Sequence, residues 1–513
     1  MKTFQNPILP GFYPDPSVCR VGDDYYLVTS SFAYFPGVPI FHSKDLVNWE
    51  QIGHVLDRPS QLPLKGQQQS QGIFAPTIRY HDGVFYMITT NVGYGGNFYV
   101  TATDPAGPWS DPIYLDAPGI DPSLFFDDDG RVYYTGTRPA PEGEKYSGNW
   151  EAWLQEIDLE KNQLIGEPIG LWRGALRDAV WPEAPHIYKV DGYYYLLISE
   201  AGTGHHHAVS VARSKEITGP YEGNRGNPIL THRHLGRDYP IANVGHCDLV
   251  ETQNGEWWAV GLASRIYGGY YRNLGRETFL MPVEWEDGWP LFSPGTGKLE
   301  MSYQRPDLPE VKPIIPHATD HFDEEELDFK WMFLRSPEDF YSLTERPGHL
   351  TLKVRPEKMT ELVTPSFIGR RQQHLTFSAS TVMEFTPNEN EEAGIVLLQS
   401  NEYHYRFVYT KVDNKSVIRL IKCAAGKEEV LQEAAIEADK LYLKVEAYEQ
   451  DYRFFYSDTP GKYELLIDQV DGRILSTDVA GGFVGAVLGP YASSNGAPSD
   501  NKAYFDWFEY VGK

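Results

Sequence analysis

The chain has 513 residues, with 45 Lys plus Arg against 71 Asp plus Glu and a formal net charge of −26. Such a field repels phosphates before contact, which excludes nucleic acid and anionic membrane surfaces as main partners and favours a neutral or cationic substrate. Aromatic residues make up 14% of a chain that is only 41% hydrophobic, so some rings stand outside the core, where flat faces stack on flat ligands such as sugars.

At this length one core is improbable on size grounds, and two or three domains are expected. The opening MKTFQNPILP has no apolar stretch of signal-peptide length, and no run approaches a membrane helix. Three cysteines, Cys19, Cys247 and Cys423, are widely spaced and odd in number. They form neither a disulfide framework nor a zinc motif and read as reduced thiols, so the expected location is cytoplasmic.

From the N-terminus, one phrase recurs five times: a Gly-containing turn followed by an aromatic-rich strand. Its copies are Gly22-Asp23-Asp24-Tyr25-Tyr26, Asp82-Gly83-Val84-Phe85-Tyr86, Asp129-Gly130-Arg131-Val132-Tyr133, Asp191-Gly192-Tyr193-Tyr194-Tyr195 and Asn254-Gly255-Glu256-Trp257-Trp258. Asp-Gly and Asn-Gly suit tight hairpins because both positions tolerate positive φ. The first copy reverses the order. A short β-type segment precedes each turn, and the position eight residues upstream is Asp15, Phe74, Asp121, Glu183 and His246 in turn, 47 to 63 residues apart. That period fits a four-stranded propeller blade, and no amphipathic helical stretch interrupts it. Residues 1–304 are therefore expected to form a five-bladed β-propeller.

Equivalent positions in successive blades are related by rotation about the propeller axis. Three carboxylates, a phenyl ring and an imidazole then meet in one central cavity. Convergent acids repel one another and lose solvation, which pushes their pKa values apart and suits them to divided acid and base work. A single Asp-Pro-Ser or Glu-Ala-Pro motif is more simply a strand-start turn. Three acids in register reverse that judgement.

Further along, His205-His206-His207 resembles a metal tract, but consecutive strand residues point to opposite faces and cannot all serve one ion; a loop or strand at the cleft rim is expected. Residues 305–320 carry Pro306, Pro309, Pro313 and Pro316, a stiff linker. Beyond it, residues 321–513 hold strand-length segments such as HLTLKV, YHYRFVYT and LYLKVEAY separated by turn residues, the pattern of a β-sandwich.

The ordered set Asn6-Pro7-Ile8-Leu9-Pro10-Gly11-Phe12-Tyr13-Pro14-Asp15-Pro16-Ser17, Ser31-Phe32-Ala33-Tyr34-Phe35-Pro36-Gly37-Val38, His42-Ser43-Lys44-Asp45-Leu46, Gly72-Ile73-Phe74-Ala75-Pro76, Asp121-Pro122-Ser123-Leu124-Phe125, Glu183-Ala184-Pro185-His186, Gly245-His246 and Gly275-Arg276-Glu277-Thr278 resembles glycoside hydrolase family 43, in its two-domain β-xylosidase and α-L-arabinofuranosidase type. The resemblance implies a five-bladed propeller followed by a lectin-like jelly-roll sandwich. It implies hydrolysis with inversion, with Asp15 as general base, Glu183 as general acid and Asp121 tuning and orienting the acid. Phe32 and Phe74 match the aromatic walls of the terminal-sugar pocket, with Phe74 where many relatives have Trp. Arg276 matches an arginine that reaches substrate hydroxyls, and His246 a histidine at the propeller centre, beside which a structural calcium has room.

The resemblance also implies that a sandwich loop, here within residues 483–495, closes the pocket and makes the enzyme exo-acting. The expected substrate is a short β-1,4-xylooligosaccharide cut at its terminal xylose, with arabinofuranosidase activity in the same pocket and no required cofactor. A predominantly α-L-arabinofuranosidase enzyme is the alternative, followed by a retaining propeller hydrolase and a non-catalytic sugar-binding propeller. Homo-oligomers are common in the family.

Overall fold

The computed structural model describes residues 2–176 and 178–513, and nearly all of its regular structure is β-strand. Five separate antiparallel sheets are each built in chain order from one edge to the other. Their first strands, Ser17–Val21, Thr77–His81, Ile120–Phe126, Glu183–Val190 and Ile241–Glu251, pack on one another in a ring. This is the five-bladed propeller. Blades one, two, three and five have four strands, and blade four gains the short segment Leu230–Thr231 beside its third strand.

The repeated turns close the innermost hairpin of every blade. In blades two and four both turn residues, Asp82-Gly83 and Asp191-Gly192, have positive φ, the geometry that matches strand twist. In blades three and five only Gly130 and Gly255 do so, and the loops are longer, closed by Asp127 to Arg131 and Thr252 to Glu256 backbone bonds. The aromatic residues after the turns pack between blades: Tyr25, Tyr133, Tyr195 and Trp258 are buried.

The ring is closed by a clasp outside the blades. Thr3–Gln5 pairs with Ser302–Gln304, and the Asn6 side chain bonds both backbone groups of Leu280 in the last blade, at 2.8 and 3.0 Å. Residues 305–318 contain no strand, but they do not hang free: Asp45 of blade one takes the Arg305 guanidinium at 2.6 Å and the Val311 N–H at 3.1 Å.

The C-terminal part is a sandwich of two eight-stranded antiparallel sheets. One sheet borrows a strand from the propeller. Tyr34–Phe35, between the second and third strands of blade one, pairs with Met332–Leu334 and forms that sheet's edge. The apolar core follows the same path, running without a break from Val28, Phe35 and Ile40 to Phe333, Ile368 and Phe377. A second cluster, with Phe12, Phe32, Tyr34, Val484 and Tyr491, fills the junction next to the propeller axis. The division between domains is thus one of sequence, while packing joins them.

Candidate active site

Four of the five residues that share one position before the turns sit at a local distortion, in blades one, three, four and five. Register shifts interrupt the first hairpin between Ile120 and Ser123, between Glu183 and His186, and between Gly245 and Asp248. Asp15, Asp121 and His246 adopt φ of 55°, 54° and 48°, and in blade four Ala184, next to Glu183, adopts 51°. A bulge re-aims a side chain out of the sheet plane, and non-glycine residues with positive φ cost of order 1 kcal/mol each. Blades three, four and five combine a bulge with a positive φ at this point, blade one has the positive φ of Asp15, and Phe74 of blade two reaches the axis without either.

Asp15, Asp121, Glu183, Phe32, Phe74, His246 and Arg276 all line one pocket. It therefore unites every site residue expected from sequence. Asp15 is held on three sides: Arg276 Nη1 lies 2.6 Å from Oδ1, the Ser30 hydroxyl donates to Oδ2, and His246 Nδ1 stands 3.6 Å from Oδ1. Burial alone would raise its pKa, but Arg276, His246 and Ser30 outweigh that and hold it below the usual carboxylate range. Asp121 accepts the Ala184 N–H at 3.0 Å. Burial pushes its pKa up, with His246 opposing and the Asp15 charge adding. Glu183 goes furthest: burial first, then the charges of Asp121 and Asp15, keep it protonated well above the ordinary glutamate range. One carboxylate is biased toward its charged form and another toward its acid form within a single cavity.

Phe32 and Phe74 meet at 5.3 Å between centroids, and Phe32 is only 2% exposed, so its ring belongs to the junction core as much as to the pocket. The third ring comes from the sandwich. A one-turn helix, Thr477–Ala480, delivers the following loop to the propeller mouth, where Phe483 stacks on Phe32 at 6.0 Å and meets Phe74 edge-on at 5.9 Å. Its backbone is tied down twice, by the Ser70 hydroxyl accepting its N–H at 2.8 Å and by Arg276 Nη2 donating to its carbonyl at 3.3 Å. Of the segment 483–495, Phe483 is the wall residue, while Val487–Ser493 is a strand inside the sandwich.

Four pocket residues were not among the expected site residues: Ala75, Ile120, Thr203 and His207, the last expected only at the cleft rim with its histidine tract. Ile120 adjoins Asp121 and was overshadowed by it. Thr203 and His207 lie on the loop between the second and third strands of blade four, where no repeat register points to the axis. His207 is the member of the histidine tract that turns inward. It donates from Nδ1 to the Asn243 carbonyl at 2.8 Å, and burial brings its pKa down to about 4, so the ring is neutral. Thr203 Oγ1 and Arg276 Nε are buried without partners among the described residues, two polar groups suited to sugar hydroxyls.

Below the floor, one buried network draws on all five blades. Asp248 accepts from Ser17 Oγ at 2.7 Å, Arg79 Nη1 at 2.9 Å and Tyr188 OH at 2.6 Å. Arg79 Nη2 donates to His186 Nδ1 at 3.0 Å, and Ser123 Oγ lies 3.2 Å from the same nitrogen. Satisfied buried networks are rigid, and this one fixes the strand starts that carry the acids. Among the described residues no group of three His, Cys, Asp or Glu is arranged to hold a metal ion.

Residues 4–290 match the model of glycosyl hydrolases family 43, and residues 319–511 match the β-xylosidase C-terminal concanavalin A-like domain. A xylosidase/arabinosidase of Butyrivibrio fibrisolvens is 53% identical over 516 residues, covering 99% of both chains. A non-reducing end α-L-arabinofuranosidase of Bacteroides ovatus is 42% identical, covering 99% of this chain and 95% of its own. The crystal structure of a xylan β-1,4-xylosidase from Bacillus halodurans superposes with a TM-score of 0.93 at 37% identity over 99% of each chain. The chain is a glycoside hydrolase and belongs to family 43.

Proposed function

We propose that the protein is an exo-acting, inverting β-xylosidase that removes terminal xylose from β-1,4-xylooligosaccharides and also cleaves α-L-arabinofuranosides in the same pocket. The observation that carries this reading is the opposed bias of Asp15 and Glu183 within one pocket. Asp15, ionised, takes a proton from water as its oxygen attacks the anomeric carbon. Glu183, protonated, gives its proton to the departing glycosidic oxygen from the other side. Burial first and the Asp121 charge second keep Glu183 protonated, and Asp121 fixes the strand start through the Ala184 N–H. The acids come from blades one and four, which are not neighbours in the ring, consistent with a gap that admits water.

Phe32, Phe74 and Phe483 wall the pocket into a blind end that takes one terminal sugar, while Arg276, Thr203 and His246 meet its hydroxyls. Both proton transfers come from protein carboxylates, so the reaction needs no cofactor. Three buried cysteines without disulfide partners support action in the reducing cytoplasm. A predominantly α-L-arabinofuranosidase enzyme is the second reading, favoured by the Bacteroides ovatus relative. Parallel rates on aryl β-xyloside and aryl α-L-arabinofuranoside separate the two. NMR of the first-formed product tests the mechanism: an inverted anomer is expected, and initial retention would sink it. Hydrolysis unchanged in both Asp15→Ala and Glu183→Ala would refute the site.

A further inference from the structure

A second, wider cleft opens from the pocket mouth. It shares Thr203, Arg276 and Phe483 with the inner pocket and adds Trp181, Gly204 and Arg272. It holds about 320 Å³ against about 60 Å³ inside, so the outer cleft has the room for the chain that leaves. Trp181 stands two residues before Glu183 and is 37% exposed. Its ring is gripped by two glycines: a Cβ on Gly148 or Gly202 would come within 2.9 or 3.0 Å of it. A ring held this firmly is a prepared stacking surface.

Next to this cleft, joined to it through its lining residue Arg272, lies a group of basic side chains. Tyr270 is flanked by Arg272 at 5.4 Å, Arg237 at 5.1 Å and the His205 ring at 5.9 Å. The His205 side chain in turn bonds the Arg233 backbone. Tyr270 OH donates to Asn243, whose carbonyl holds the pocket residue His207, so the rim is built onto the pocket wall. Arg272 is neutralised by Asp478 at 2.8 Å. Among the described residues neither Arg233 nor Arg237 forms an ion pair, although the chain carries a net charge of −26. Burial first, then Arg237 and His206, holds His205 below the usual histidine range, which leaves the positive charge with the arginines. Unpaired cations at the mouth of an acidic protein create a local field opposite to that of the whole.

We infer that this rim, with Arg233 and Arg237 as its charged members, recognises a carboxylate on the leaving side of the substrate, that is, a xylooligosaccharide bearing a uronic acid branch on the sugars that follow the terminal xylose. The inference rests on the proposed function of the inner pocket. Trp181 stacks the leaving sugar while the arginines meet the acid group. The terminal sugar itself must be unbranched, because the three phenyl rings close around it.

The test compares kcat/KM for xylose release from two xylooligosaccharides of equal length, one neutral and one carrying a glucuronic acid branch on its penultimate unit, at low and high salt. The wild type is expected to favour the acidic one by about five-fold at low salt, the scale of one or two exposed ion pairs, and to lose that preference at high salt. Arg233→Ala with Arg237→Ala should bring the acidic-to-neutral ratio close to one, and Arg237→Glu should push it below one. A ratio indifferent to salt and to both substitutions would overturn the inference. Calorimetric binding of the same two oligosaccharides to Glu183→Gln protein reads the rim without turnover. Preference for the acidic ligand there supports the rim even if the xylosidase reading fails, and equal binding refutes it even if that reading stands.

Discussion

The Arg276 guanidinium and the Asp15 carboxylate meet at 2.6 Å across 261 residues of sequence, both almost wholly buried. The pair reverses what burial does to Asp15, keeping its carboxyl below the ordinary range instead of above it. The same arginine reaches the Phe483 carbonyl, so one side chain links the ionised acid to the sandwich domain. Arg276→Ala should therefore cost about 10²-fold in kcat/KM, the scale of a lost preorganised charge. It should also shift the acidic limb of the pH profile upward, since burial then governs Asp15. Arg276→Lys should restore the limb while recovering only part of the rate. A pH series of kcat/KM for the three proteins decides this.

Asp121 acts on the other limb. Its charge is the second cause, after burial, of the raised pKa of Glu183. The alkaline limb marks loss of the proton that the acid must donate. Asp121→Asn removes the charge but keeps an acceptor for the Ala184 N–H, so the alkaline limb is expected to move to lower pH with the fold intact. An unmoved limb would show that burial alone sets the acid.

Much of this site was legible because the propeller converts periodic sequence into convergent geometry. Asp15, Phe74, Asp121, Glu183 and His246 share one spacing to a turn, and rotation did the rest. Thr203 was hidden because it sits on a loop outside that register, and the same loop left His207 placed with its tract at the cleft rim but not singled out as the inward member. Arg276 and Phe32 were found by motif resemblance and not by spacing. Phe483 is brought to the mouth by packing between parts of the chain roughly 400 residues apart, which no local pattern records. The loan of Tyr34–Phe35 to the sandwich was hidden for a related reason: two residues between blade strands carry no signal of which sheet they will join.

Glu183 also makes a statement about stability. Its pKa is raised in the folded state, so between the unfolded value near 4.5 and the raised folded value the native protein binds more protons than the unfolded chain. Stability then falls as pH rises through that window and stays reduced above it. Glu183→Gln removes this penalty. Its melting temperature is expected to exceed that of the wild type by about 2 °C at neutral pH and to match it below pH 4, although hydrolysis of alkyl-type leaving groups should fall about 10³-fold. Thermal scans at two pH values against the wild type test the sign, and a mutant less stable at neutral pH would contradict the raised pKa.

Phe483 tests whether the sandwich is part of the active site or only its neighbour. The ring is 38% exposed, so truncating it removes little buried core and should change the melting temperature only slightly. It nevertheless stacks on Phe32 and meets Phe74 at the pocket mouth, with Arg276 5.6 Å from its centroid. Phe483→Ala leaves the acids and their pKa partners in place, so the pH profile should keep its shape. What it opens is the wall that closes on the terminal sugar. The expected result is about a tenfold loss in kcat/KM on xylobiose, carried mainly by KM, because the ring contributes contact to bound substrate and transition state alike. Phe483→Leu should recover part of the loss by refilling the wall. A loss carried by kcat with a displaced pH profile would mean instead that Phe483 acts through Arg276 on Asp15, and the 3.3 Å bond to its carbonyl would be the route.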